Sequence, residues 1–160
     1  MSLAKEIKMK NEIESIRHEA LLNIVRTANC IAKISTTFFE QYHLTEAQYN
    51  VLIVLKLEGR ALTQIEIGER LVTSRANMTS LLDKLEKKEY VRRETVKGDR
   101  RVYEVHLTEQ GKRILEKVEK VYVEKVEEIM ASVSIAESKT MSRLLEKLRE
   151  SLFNAKINEK

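Results

Sequence analysis

Five residues between Arg75 and Lys88 have side chains suited to reading nucleic acid. With about 100° between successive helical residues, Ala76, Asn77, Ser80, Lys84 and Lys87 fall on one side and Met78, Leu81, Leu82 and Leu85 on the other. Asn and Ser can hydrogen-bond to base edges, Ala can pack on a thymine methyl, and Lys can neutralise a phosphate. Thr79 lies beside this stripe. Arg75, near the start of the helix, is set to grip the backbone, and Ser74, at the preceding turn, joins the contact set. A polar stripe on a surface helix also arises from solvation alone, but here a basic tip follows it, Lys97-Gly98-Asp99-Arg100-Arg101. Arginines suit phosphates and narrow minor grooves, so helix and tip together point to double-stranded DNA.

The elements that must position these residues follow from local signals. A long amphipathic helix is expected from Ile13 to Tyr42, with Leu21, Leu22, Val25, Ala28 and Ala32 at three- and four-residue spacings. Thr45-Glu46-Ala47-Gln48 has the form of a capping box, and the helix it opens should stop at Gly59. Thr63-Gln64-Ile65-Glu66 repeats the box for a third helix ending near Leu71. The turn Val72-Thr73-Ser74 then leads into the helix with the polar stripe, which is the spacing of a helix-turn-helix. From Tyr90 the period becomes two: Val91, Arg93 and Thr95 alternate with Arg92 and Glu94, and Tyr103, Val105 and Leu107 answer after the glycine. This is a hairpin, the wing.

Thr108 and Glu109 begin a fifth helix striped with Ile114, Val118, Val121, Tyr122 and Val126. A third box, Ser134 to Glu137, opens a sixth with Met141, Leu144, Leu145, Leu148 and Leu152. Two such helices carry more apolar surface than a small winged domain covers. The expected organisation is therefore a mainly α protein, with a winged helix-turn-helix domain at residues 44–112 and a helical dimerisation region formed by residues 1–43 and 113–160, the alternative being a monomeric helical bundle.

Composition agrees with a helical, DNA-directed protein. There are no prolines, four glycines and 34% charged residues. The net charge of +4 is unevenly placed, since residues 70–101 hold ten Lys and Arg against five Asp and Glu. A single cysteine, Cys30, excludes an intramolecular disulfide, and no apolar run approaches the roughly 18 residues of a membrane span. These features lead us to expect a cytoplasmic protein.

Over nearly its full length the chain resembles the MarR family of winged helix-turn-helix transcription regulators. The residues that carry the resemblance begin with Leu44-Thr45-Glu46-Ala47-Gln48-Tyr49, Leu62-Thr63-Gln64 and Ile67-Gly68-Glu69-Arg70-Leu71. Next is Leu81-Leu82-Asp83-Lys84-Leu85-Glu86-Lys87-Lys88. Most specific are Asp99-Arg100-Arg101 and Val105-His106-Leu107-Thr108-Glu109-Gln110-Gly111. The resemblance implies that Arg101 enters the minor groove, that Asp99 fixes its guanidinium with Asp83 as a further partner, and that Lys97 and Arg100 hold adjacent phosphates. One departure is Glu89-Tyr90, where the family has Gly and an apolar residue, so a less sharply turned exit from the recognition helix is expected.

The resemblance also implies a homodimer with a small-molecule cleft, near which Phe38, Phe39, Tyr42, His43 and Tyr49 cluster in sequence; an aromatic or anionic effector suits them. No cofactor is expected. Cys30, Glu40 and His43 lie near where zinc-sensing members place ligands, but the His pair those members carry after the wing is missing. Cys30 itself reads as a small buried residue, because no flanking cation marks a reactive thiolate. There is no phosphate loop and no nucleophile-base pattern, so an enzyme is not expected. The competing reading is a helical protein-interaction module without specific DNA readout.

Overall fold

The structure is a computed structural model that describes residues 3–71, 75–96 and 99–157, without side-chain detail at 75–76, 96, 99–101 and 155–157. Its helices are α1 (Leu3–Glu6), α2 (Ile16–Glu40), α3 (Glu46–Glu58), α4 (Gln64–Leu71), α5 (Arg75–Lys87), α6 (Glu109–Met130) and α7 (Ile135–Ile157). The strands β1 (Leu62–Thr63), β2 (Val91–Val96) and β3 (Asp99–Leu107) form one antiparallel sheet in the order β1-β3-β2. Two compact units result, residues 1–115 and 116–160.

All three capping boxes form. Thr45 accepts from the Gln48 N–H while the Gln48 side chain accepts from Thr45 N–H. Thr63 and Glu66 exchange the same pair of bonds at 2.7 and 3.2 Å, and Ser134 and Glu137 do so at 2.9 and 3.3 Å. Each box satisfies backbone donors that the first turn of a helix leaves without partners. The Arg60 guanidinium on Glu66, together with both Thr63 donors, holds that carboxyl at about 2, well below the ordinary value. Gly59 ends α3 in the left-handed region at φ 63°, as its position after the last apolar residue predicts.

Residues 1–115 close around a core in which Phe39, Leu52, Leu62, Ile67, Met78, Leu82, Leu85, Val91, Val105 and Leu115 are each at most 1% exposed. At roughly 1.5–3 kcal/mol per buried side chain, this face-to-face packing of α3, α4, α5 and the sheet is what holds the recognition elements in place. β1 has no periodic signal of its own. It exists because Leu62 and Thr63 pair with Val105 and Glu104, which makes β3 the central strand.

The N-terminus and Cys30 differ from expectation. The long helix begins only at Ile16, capped by Ser15, and the residues before it include a separate helical turn, α1. Leu3 and Ala4 are buried, the Leu3 N–H donates to Glu19 at 3.1 Å, and Arg26 pairs with Glu6 at 2.6 Å. Cys30 is exposed rather than buried, because along the whole of α2 only Phe38 and Phe39 are covered.

Candidate nucleic-acid interface

The fourth helical pattern is α5, and its two faces separate as the periodicity requires. Met78, Leu82 and Leu85 are buried and Leu81 is half-buried, while Asn77, Thr79, Ser80, Lys84 and Lys87 are exposed. Thr79 also accepts a 2.7 Å hydrogen bond from the Gln64 amide at the start of α4, tying the two helices of the helix-turn-helix across their polar side. Sequence periodicity could not reveal Gln64, because the pair depends on how α4 crosses α5.

Ser74 and Lys97 lie outside the described residues. Arg75 is the first residue of α5, and Asp99, Arg100 and Arg101 open β3, but their side chains also lie outside the description. The hairpin register runs evenly from Val91↔Leu107 to Thr95↔Tyr103 and then shifts to Val96↔Asp99. Arg100 and Arg101 therefore fall in an irregular stretch. Bulges of this kind re-aim side chains at the end of a ribbon.

Asp83 pairs with Arg93, while the implied contact with Arg101 lies outside the described side chains. Arg93 of β2 reaches Asp83 at 2.7 Å and Glu86 Oε2 through Nε at 2.9 Å, and its backbone N–H donates to Glu86 Oε1 at 3.0 Å. The Arg93 contact holds the Glu86 carboxyl below its usual range, and Glu86 in turn raises Arg93. A half-buried planar fork between two carboxylates on consecutive turns makes α5 and the wing strand one body. On the other side of the hairpin, Glu94 stands directly opposite Glu104, a like-charged pair relieved by Arg92 at 3.0 Å from Glu94.

The exit from α5 is sharp, contrary to the expectation drawn from Glu89-Tyr90. Glu89 itself adopts the left-handed conformation, φ 58°, so that its N–H bonds to Glu86 O and the Tyr90 N–H to Leu85 O. Those two bonds make a Schellman ending without the usual glycine. Thr108 caps α6 by accepting from the Gly111 N–H at 3.0 Å. Gly111 packs so closely that a Cβ there would lie 2.2 Å from Tyr90 O.

The aromatic cluster is mostly core. Phe39 is 0% exposed, its ring lies 5.1 Å from Phe38 and 4.8 Å from Tyr49, and both partners are buried as well. Tyr42, 5.4 Å from Phe38, is half-buried, and His43 is exposed in a left-handed turn that ends α2, φ 53°. Among the described residues, Cys30, Glu40 and His43 form no cluster able to hold a metal ion. No helix among the described residues is long and apolar enough to cross a membrane.

Comparison with known proteins matches residues 44–103 to the MarR family. The transcriptional regulator PecS of Dickeya dadantii (strain 3937) is 27% identical over 150 residues, 91% of this chain and 90% of PecS. Among solved structures, the organohalide-sensing RdhR transcriptional regulator in its 2,4-dichlorophenol-bound form superposes with a TM-score of 0.80 at 18% identity, covering 89% of this chain and 86% of that one. The S. aureus MepR-DNA complex gives 0.72 at 24% identity, over 83% of this chain and 96% of MepR.

Proposed function

We propose that this chain is a MarR-family winged helix-turn-helix transcription regulator, acting as a homodimeric, ligand-responsive repressor on a short inverted repeat in double-stranded DNA; the family match over residues 44–103 supports this reading. The observation that carries the DNA reading is α5, with Asn77, Thr79, Ser80, Lys84 and Lys87 exposed on one face while Met78, Leu82 and Leu85 anchor the other. Asn77 and Ser80 read base edges, Thr79 joins them, and Lys84 holds a phosphate. Ser74 and Arg75 at the helix start grip the backbone; Lys97, Asp99, Arg100 and Arg101 form the wing tip. The MepR structure, a DNA complex on the same fold, supports this assignment.

Dimerisation is supported by apolar side chains left bare on α2, α6 and α7. Leu21, Val25 and Ile31 are 40–52% exposed, and Val121, Leu144 and Leu152 are 43–57% exposed. Two recognition helices related by a two-fold axis would enter major grooves about 34–36 Å apart. A DNA-binding regulator works where the DNA is, so a cytoplasmic setting belongs to this reading.

The effector reading keeps the aromatic or anionic class, in keeping with the phenol bound by RdhR. Of the five residues near the expected cleft, Phe38, Phe39 and Tyr49 serve as its packed floor; Tyr42 and His43 keep exposure and are the ones to meet a ligand.

Selection from random duplexes followed by sequencing tests the DNA reading. An inverted repeat is expected, with Asn77→Ala and Ser80→Ala each losing preference at particular bases by about 1–3 kcal/mol, and Lys84→Ala weakening all sequences alike. Weak, sequence-blind binding with uniform small effects would favour a protein-interaction module.

A further inference from the structure

We infer that Lys88 and Gln110 are positioning residues that fix the angle at which the recognition helix leaves its supporting helices, and thereby set the half-site spacing the protein accepts. This rests on the homodimer and inverted-repeat reading. The observation behind it is the crowding of hydrogen bonds at the end of α5. The Lys88 ammonium donates to the carbonyl oxygen of His43, a residue 45 positions away that terminates α2. That carbonyl lies in the left-handed turn just past the end of α2.

From the other side, the first turn of α6 takes up the carbonyls left over by the α5 ending. Gln110 Nε2 donates to Lys88 O at 3.2 Å, the Thr108 hydroxyl to Glu89 O at 2.6 Å, and the Thr108 N–H to Tyr90 O at 3.1 Å. Gly111 removes the remaining slack, since its missing side chain lets α6 close on Tyr90 O. The end of α5 is thus latched to the end of α2 and to the start of α6. These two helices carry apolar faces that the homodimer would cover, Leu21, Val25 and Ile31 on α2 and Val121, Val123 and Val126 on α6. A latch between the dimer framework and the recognition helix converts the geometry of one into the spacing of the other. The α2 partner is His43, one of the two residues assigned to meet an effector, so a ligand there acts on the same bond.

The test uses the full-length protein and duplexes in which the selected half-sites are kept but moved one base pair closer together or further apart. Wild type should prefer one spacing. In the Lys88→Met/Gln110→Ala double variant the preference for that spacing over its neighbours should fall by about fivefold or more, the scale of a modest coupling between sites. Base preference within each half-site should stay as in wild type, and Lys88→Arg, which keeps a cationic donor, should restore most of the spacing preference. Gln110→Ala alone, at an exposed position, gives a smaller shift in the same direction and guards against a folding defect in the double variant. An unchanged spacing ratio overturns the proposal. So does an equal loss of affinity at every spacing, the mark of a merely structural contact. A wild type that is indifferent to spacing overturns the inverted-repeat reading itself, and the latch with it.

Discussion

Among the described residues of 116–160 only Val118 is buried, whereas residues 44–115 alone bury Leu52, Leu62, Ile67, Met78, Leu82, Leu85 and Leu115 to 1% or less. The contrast runs along a single helix. In α6, Leu115 and Val118 are fully covered, yet Val121, Val123 and Val126 are 36–60% exposed. In α7, Met141, Leu144, Leu148 and Leu152 are likewise bare. Apolar stripes at helical spacing in water are unfinished surfaces, because the burial that normally stabilises such a helix has not been supplied. The winged region completes itself within one chain; in the homodimer proposed above, the terminal helices are completed by a second copy.

The sharpest way to break this contrast is to make the bare face hostile to a partner. Leu144→Lys/Leu148→Lys should leave the winged region folded and yield monomers in sedimentation, with DNA affinity reduced by roughly a hundredfold or more because the second half-site no longer adds to the first. A dimer of unchanged affinity would place the interface elsewhere. The closed region should respond in the opposite manner, through stability. Gly111→Ala puts a methyl 2.2 Å from Tyr90 O, and chemical denaturation should show a loss of about 3 kcal/mol, at the upper end of overpacking.

Even the completed region holds some strain. Glu89 sits at φ 58° where glycine is at ease, so Glu89→Gly should raise the denaturation free energy by about 0.5–1 kcal/mol, less than the conformational relief because glycine also loosens the unfolded chain. A destabilised variant would mean that the Glu89 side chain contributes more than its backbone costs. The smallest effect concerns acid. Glu66 titrates at about 2 in the folded protein against 4.5 ordinarily, so its contribution is fully present above about pH 4.5 and is lost as the pH falls toward 2. Thermal melts across that interval should show wild type losing its advantage over Glu66→Gln, by a modest amount because the side chain is partly solvent-exposed. A constant gap between the two curves would show that the carboxylate is not linked to folding.

The fold was readable wherever its causes are local. Thr45 with Gln48, Thr63 with Glu66, and Ser134 with Glu137 announce helix starts through residues three apart, and the alternation around Val91 and Val105 announces the hairpin. β1 was not readable, since two residues carry no period and the strand is created by its pairing with β3. The polar face of α5 was readable for the same reason as its core face, because one periodicity fixes both. What escaped were partners set by tertiary approach, namely Arg93 on Asp83, Gln64 on Thr79 and Lys88 on the His43 carbonyl, each joining residues 10 to 45 positions apart. The exit at Glu89 was misjudged from its departure from the family's glycine. A side chain that dislikes the left-handed region adopts it when the surrounding bonds require it.

The strand order β1-β3-β2 leaves a small ribbon with two open edges, and open edges invite other chains to add on. Neither edge here can act as a template. β1 spans two residues, too few to hold a stranger in register, and β2 carries Arg92, Arg93 and Glu94 in succession before its pairing slips near the tip. The charges that suit the hairpin to a polyanion thus also keep concentrated copies of the protein from growing into fibrils through it.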